Sequence, residues 1–188
     1  MPVKERQCRL PLFVFGGSMG RHWQIVLRKA RRRLVHLNVA AAVAGGLGVA
    51  FAIGAMEWSS LVAQYPLAFI PFATSIVLVV GSPDAVPAQP RALIGGHLVA
   101  TLVGFAVLRL AGPQAWAAAA AVGLSVLAMY ATDTFHPPAG INPLLVVSGD
   151  LPWTFPFAPV LAGALSLTAF AFFWHRWVVR KPWPSRWL

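Results

Sequence analysis

Charged side chains are scarce over most of this chain. From residue 37 to residue 174 the only cations are Arg91 and Arg109, and charged residues make up 11% of all 188. A soluble domain needs more charges to cover its surface, so a soluble globular class is excluded for this segment. Because 58% of the chain is hydrophobic and its mean hydropathy is +0.69, the segment is predicted to lie in a lipid bilayer.

Cysteine is nearly absent as well. The single Cys8 excludes an internal disulfide and a cysteine metal site. The sequence has neither a phosphate-binding glycine loop with lysine nor an H-E-x-x-H zinc motif, and acid–base pairs are few. His97 and His136 do not have a spacing typical of metal ligands. The chain is therefore predicted to be a non-enzyme with no catalytic residue, metal or cofactor.

Basic residues are present, but they gather at the two ends. Nine of the 15 Lys and Arg lie in residues 1–36 and four lie in residues 175–188. The net charge of +10 and the basic run at 28–33 would suit a nucleic acid, but the run adjoins a predicted membrane span. The positive-inside rule explains it more simply, so no nucleic-acid partner is predicted and both ends are expected in the cytoplasm. Such a chain crosses the membrane an even number of times.

Composition divides the chain into three parts. Residues 1–36 are predicted to be a basic segment on the membrane surface, residues 37–178 a transmembrane domain, and residues 179–188 a basic cytoplasmic tail. The expected location is the cell membrane, as for a multi-pass protein of the bacterial inner membrane. The lipid bilayer is then one partner, and a homo-oligomer is compatible with the sequence.

The apolar stretches are of two lengths. A helix needs roughly 20 apolar residues to cross the hydrocarbon core. Four stretches are long enough, and two shorter ones contain prolines and are predicted as re-entrant half-helices or as short, broken spans. The predicted fold class is thus an all-α polytopic membrane protein with about four long transmembrane helices and two short helices. The long stretches are 37–56, 92–110, 114–132 and 156–178, and the short ones are 67–80 and 137–148.

The two short stretches have similar surroundings. Residues 75–96 align with residues 143–164 at a constant offset of 68, which pairs Gly81 with Gly149 and Gly95 with Gly163. A unit of long, short and long helix would place its second copy upside down, which gives the inverted 3+3 repeat common among transporters. Chance alignment of alanine-rich segments is the alternative.

Two separated motifs carry a family resemblance. The sequence "FHPPAGINPLL" (135–145) contains His136, Pro137 and Pro138, and "PFATSIVLVVGSPDAVPAQPRALIGGHL" (71–98) precedes it. The chain resembles the HPP family of integral membrane proteins, named for that His-Pro-Pro motif, over about residues 37–178. The resemblance implies four or more membrane helices. Some plant members are implicated in chloroplast nitrite transport, which implies a small anion as the transported solute.

The prolines after His136 predict the start of a helix. Proline suits the first helical turn, because its missing N–H would be unpaired there anyway. The free N–H groups of a helix start and the helix dipole favour a negative charge. We therefore predict that His136, Pro137, Pro138 and Asn142 bind a small inorganic anion. The alternative for His136 is a cap that bonds a backbone carbonyl.

Four further residues are candidates for the same site. The other short helix is predicted to begin at Pro71, with Thr74 and Ser75 in its first turn as hydroxyl donors. His97 lies inside a long span, where an ionisable group suggests function, although a hydrogen bond to a facing helix would also explain it. Arg91 opens that span, where it would steer anions, pair with Asp84 or reach the lipid headgroups.

The favoured function is a membrane transporter or channel for a small solute, with an inorganic anion such as nitrite as the preferred solute. The alternative is a membrane sensor or accessory subunit with no transport activity. A membrane-embedded enzyme is disfavoured by the shortage of acid–base pairs.

Overall fold

The computed structural model describes residues 39–62, 64 and 70–187, and the predicted surface segment 1–36 lies outside them. The regular elements of the described residues are helices, and these ranges contain no strand. The all-helical prediction is therefore confirmed for this part of the chain. The helices are α1 (Val39–Val62), α2 (Ala73–Gly81), α3 (Pro90–Ala111), α4 (Ala115–Ala131), α5 (Ile141–Ser148) and α6 (Ala162–Phe173).

Three helical stretches are long and apolar enough to cross a membrane. They are α1, α3 and the stretch Pro156–Val179, in which α6 is flanked by the wider turns Pro156–Leu161 and Trp174–Val179. The fourth stretch predicted as long is α4, an apolar helix of only 17 residues. At 1.5 Å per residue α4 is about 26 Å long, near the lower limit for a span.

The two short helices each follow a 3₁₀ turn that contains proline. Ile70–Phe72 precedes α2, and Pro137–Gly140 precedes α5. His136 comes just before the second turn with an extended backbone, at φ −129° and ψ 95°. The ring of a following proline disfavours the helical conformation, so this extension is expected. The helix-start prediction for 137–148 is thus correct in position, with a 3₁₀ turn where an α-helical turn was expected.

Side-chain contacts fix the directions of α3 and α4. The Oε1 of Gln89, just before α3, accepts the backbone N–H groups of Ser185 at 3.0 Å and Arg186 at 3.3 Å. Arg91 donates to the carbonyl of Thr132, just after α4, at 3.1 Å. The start of α3 and the end of α4 therefore lie at the same end of the helices as residues 185 and 186. We call this end the tail side. α3 and α4 are antiparallel, and their connection lies at the opposite side.

α1 also starts on the tail side. Its Gly48 lies against Trp174, and its Phe51 stacks on Phe170 with ring centroids 6.0 Å apart. Moving along α1 from Gly48 to Phe51, the contacts move back along the stretch Pro156–Val179 from Trp174 to Phe170. The two helical stretches are therefore antiparallel. Because Pro156–Val179 ends on the tail side, α1 begins there.

The predicted tail 179–188 contributes to the core. Trp183 is 4% exposed and packs in a cluster with Phe72, Val79 and Leu93. His175, at the end of the last long helix, lies with its Nε2 3.0 Å from the carbonyl of Val79 and so donates to it. These contacts hold the tail against α2 and the start of α3.

Candidate functional site

The segment between α4 and α5 turns back and lies against α3. Asp133 has a left-handed backbone (φ 53°), which reverses the chain after α4. Gly96 of α3 makes the approach possible, because a Cβ at this position would lie 2.7 Å from both the Cβ of His136 and the carbonyl oxygen of Thr134. This contact places His136 beside the neighbouring residue of α3, His97.

Ser75 joins the two histidines. Its Oγ lies 2.9 Å from the Nε2 of His97 and 2.9 Å from the Nε2 of His136, and the two rings are 5.1 Å apart at their centroids. The three residues come from α3, α2 and the segment before α5, and all three side chains are completely buried. The structure thus brings together residues 75 and 136, which lie 61 positions apart in the sequence.

The outer nitrogens of the histidines also have partners. The Nδ1 of His136 lies 2.6 Å from the carbonyl oxygen of Pro87. The Nδ2 of Asn142 lies 3.1 Å from the Nδ1 of His97, 3.1 Å from its carbonyl oxygen and 2.8 Å from the Oγ1 of Thr101. A single connected polar cluster therefore runs from Asn142 to Pro87.

The surroundings of this cluster are apolar. The ring of Phe72 lies 4.7 Å from that of His97, centroid to centroid, and Ala100 and Ala139 are completely buried nearby on the same elements. A buried polar group without a partner costs roughly 1–3 kcal/mol, which explains why nearly every polar atom here is paired. The exception in the cluster is the Oδ1 of Asn142, which is buried with no hydrogen-bond partner.

Half of the eight predicted binding residues meet in this cluster. They are Ser75, His97, His136 and Asn142. Pro137 is exposed and Pro138 is half-buried, and their effect is on the backbone that presents His136. Thr74 is exposed, whereas its neighbour Ser75 is buried. The predicted use of Thr74 as a hydroxyl donor therefore finds no support at this site.

Arg91 lies apart from the cluster, at the tail-side surface. Besides its bond to Thr132, its guanidinium is 3.9 Å from the carboxylate of Asp133. The alternative pairing with Asp84 is not among its contacts in the described residues. Arg91, Asp133, Gln89 and Arg186 line a surface recess of about 100 Å³, together with Val86 and Ala92.

Two members of the cluster were not predicted. Thr101 lies one helical turn after His97 on the same face of α3, so its spacing was a usable signal. Pro87 contributes only its backbone carbonyl, for which a sequence gives no sign. In the described ranges, no group of three His, Cys, Asp or Glu side chains could hold a metal ion. Residues 16–20 read Gly-Gly-Ser-Met-Gly, which has the G-x-S-x-G spacing of many hydrolases. The non-enzyme prediction took this motif to be absent and was wrong on that point; residues 16–20 lie outside the described residues.

Comparisons with known proteins point to one family. Residues 34–184 match the family described as HPP, transmembrane region. Two proteins of Dictyostelium discoideum, each named only as a transmembrane protein, are similar to this chain: one is 35% identical over 137 residues, the other 34% over 125. These alignments cover 68% and 62% of this chain but only 48% and 40% of the relatives, so the chain spans about half their length or less. No solved structure matches it.

Proposed function

The chain belongs to the HPP transmembrane family and is a multi-pass membrane protein, and from this premise we propose that it is a carrier for a small inorganic anion such as nitrite. The observation that carries the proposal is the buried cluster of Ser75, His97, His136 and Asn142. Ionisable and polar side chains inside a membrane are costly, and they commonly mark the path of a solute or a proton.

The burial of the cluster favours a carrier over an open channel. His97, His136, Ser75 and Asn142 are all 0% exposed, so a solute would reach them only after neighbouring elements separate. The short helices α2 and α5 carry Ser75 and Asn142, and each follows a proline-containing turn. Movement of such short elements against the long helices would open the cluster to one side at a time, as in alternating access.

The tail-side recess supports an anionic solute. Arg91 and Arg186 line it, and Asp133 is the single carboxylate there. Guanidinium groups attract small oxyanions and bind them through paired N–H groups. The recess includes Val86 and Gln89, which flank Pro87, the residue at one end of the buried cluster. An anion held at the recess is therefore close to the cluster.

The proposal includes six crossings arranged as an inverted 3+3 repeat. α2 ends next to Pro83, whose carbonyl accepts from Gln89 Nε2 at 2.7 Å, so α2 runs toward the tail side. α5 runs the opposite way, because Asn142 bonds His97 while Val147, further along, packs with Val107. Together with the four longer helices, the two short ones would then be broken spans of opposite direction.

Uptake of nitrite into vesicles tests the function. The purified chain in lipid vesicles at pH 8, where little nitrous acid forms, should accumulate nitrite well above protein-free vesicles, and chloride or nitrate in excess would report selectivity. His136→Ala should reduce uptake at least tenfold. His175→Gln is the matched control, because it removes a buried histidine that does not touch the cluster.

Melting temperature in detergent is measured for each variant, so that loss of folding is separated from loss of uptake. If the folded wild type moves nitrite, nitrate and chloride no faster than protein-free vesicles do, the anion-carrier proposal is wrong. A sensor or accessory subunit would then be the remaining reading.

A further inference from the structure

The donors and acceptors of the buried cluster have one consistent arrangement when both histidines are neutral and the amide of Asn142 is oriented as in the structure. The carbonyl of Pro87 only accepts, so the Nδ1 of His136 donates to it. The Nε2 of a neutral His136 is then an acceptor, and it receives the hydroxyl proton of Ser75 at 2.9 Å. The competing contact of this hydroxyl with the carbonyl of Pro71 is longer, at 3.4 Å.

The same reasoning continues through the other ring. Ser75 has one proton, already donated to His136, so toward His97 its oxygen accepts and the Nε2 of His97 donates. The Nδ1 of His97 is then an acceptor, and the amide N–H of Asn142 donates to it at 3.1 Å. The two histidines are therefore opposite tautomers, and every bond from Asn142 to Pro87 points the same way.

We propose that His97, Ser75 and His136 form a proton relay that connects the interior of the membrane with the tail side, and that this relay couples anion movement to proton movement. The inference rests on the proposed carrier function for its coupling, whereas the relay itself rests on the hydrogen-bond geometry. His97 is the eighth residue of α3, about 10 Å from its start, so the relay begins inside the membrane and ends next to the recess at Gln89.

The transfer balances as follows. A water on the Asn142 side gives a proton to the Nδ1 of His97. The Nε2 proton of His97 moves to the oxygen of Ser75, and the hydroxyl proton of Ser75 moves to the Nε2 of His136. The Nδ1 proton of His136 leaves to a water that replaces the Pro87 carbonyl as its partner when the neighbouring elements separate. One proton enters, one leaves, and both rings end neutral in exchanged tautomers. Reversing these steps would return the proton, so the first arrangement is restored instead when the cluster opens to water on one side and each ring exchanges its N–H proton with that water.

Asn142 is suited to both arrangements. In the first, its N–H donates to His97 while its Oδ1 has no partner. In the second, the Nδ1 of His97 carries a proton and needs an acceptor, which the Oδ1 supplies after the amide turns over. The unpaired oxygen is thereby explained as the partner for the exchanged tautomer.

Among the described residues, no charged side chain faces the two neutral rings. The side chains against them are Ser75 from α2, Phe72 from the turn before it and Asn142 from α5, and none of these titrates. On α3 the nearest cation along the chain, Arg91, lies at the surface beside Asp133.

Ser75→Ala tests the relay, because it removes the hydroxyl between the rings. Vesicles contain the full chain and a pH-sensitive dye, and potassium with valinomycin holds the voltage at zero. After nitrite is added outside at pH 8, internal pH and internal nitrite are measured together, with protein-free vesicles subtracted. The wild type should acidify its interior in proportion to nitrite entry, and Ser75→Ala should lower proton entry at least tenfold.

Ser125→Ala is the matched control. It also removes a completely buried helical hydroxyl, but one that bonds only the carbonyl of Val122, at 2.8 Å. This variant should keep wild-type proton entry, and Ser75→Thr, which keeps a hydroxyl, should recover more proton entry than Ser75→Ala.

A second readout does not depend on transport. Nitrogen-15 NMR of labelled histidine, assigned with His97→Gln and His136→Gln, should show His97 protonated at Nε2 and His136 protonated at Nδ1.

If nitrite enters without protons, or if Ser75→Ala moves protons at the wild-type rate, the relay is wrong and the carrier stands. If nitrite does not move while the tautomers are opposite and an imposed pH gradient decays through Ser75, the carrier is wrong and the relay stands. Equal tautomers overturn the relay in either case.

Discussion

At the scale of single residues, Gly96 decides whether the cluster can form. Gly96→Ala would push a methyl group into the backbone of Thr134 and the Cβ of His136, and neither can move without displacing the histidine. Overpacking of this kind costs about 1–3 kcal/mol. We expect a lower melting temperature in detergent and a loss of nitrite uptake that exceeds the loss of folded protein.

Gly123→Ala is the control for this prediction. Gly123 lies within α4, and a Cβ there would meet nothing within 4 Å. Alanine is the better helix former by roughly 1 kcal/mol, so this variant should melt at or above the wild-type temperature. Equal melting temperatures and uptake for the two variants would show that the segment before α5 does not need the close approach at Gly96.

The residue types of the site were readable from the sequence, but their orientation was not. His136 and His97 stood out because ionisable groups are rare in apolar segments. Thr74 and Ser75 were equal candidates, and the structure buries Ser75 while leaving Thr74 exposed. Adjacent helical residues point about 100° apart, so only the packing of α2 against α3 separates them.

At the scale of elements, Trp183 anchors the tail to the helices. Its side chain is 4% exposed in a cluster with Phe72 and Val79, whereas Trp187 in the same tail is 60% exposed. Removing a buried tryptophan side chain costs about 3–5 kcal/mol. Trp183→Ala should therefore lower the melting temperature clearly, and Trp187→Ala should change it little. Similar melting temperatures for both variants would mean that the tail is not part of the core.

The bounds of the helices were largely predictable. Three of the four long stretches match helices that are long enough to span, because apolar length is a direct physical requirement. The turns before α2 and α5 were read as α-helix starts, since proline fixes φ but does not select between an α and a 3₁₀ turn. Docking of the tail depends on contacts between residues about 100 apart in sequence, which no local pattern encodes.

At the scale of the whole molecule, the contacts predict on which side each connection lies. The basic ends favour the cytoplasm for both termini. The start of α3 lies with the tail, so the connection at residues 112–114 between α3 and α4 should lie on the opposite, external side. A reporter fused at either terminus should be cytoplasmic, and a tag inserted at Gly112 should be labelled from outside.

This tag separates the two topologies that the sequence left open. With six crossings residue 112 is external, whereas with four crossings and two re-entrant helices it is cytoplasmic. Cytoplasmic labelling at Gly112 would contradict the proposed inverted repeat, and termini on opposite sides would contradict any even number of crossings. Neither result would affect the hydrogen bonds of the buried cluster.

The short length of α4 has a consequence for the lipid around the protein. α1 and α3 have 24 and 22 residues, about 36 and 33 Å, whereas α4 has 17, about 26 Å. A bilayer core is about 30 Å thick, so in the proposed six-crossing arrangement lipid beside α4 would thin or the longer helices would tilt. Since α4 leads directly into the segment that holds His136, strain from a thick bilayer would be transmitted to the buried cluster. In that arrangement, acyl-chain length would act on this site without touching any of its atoms.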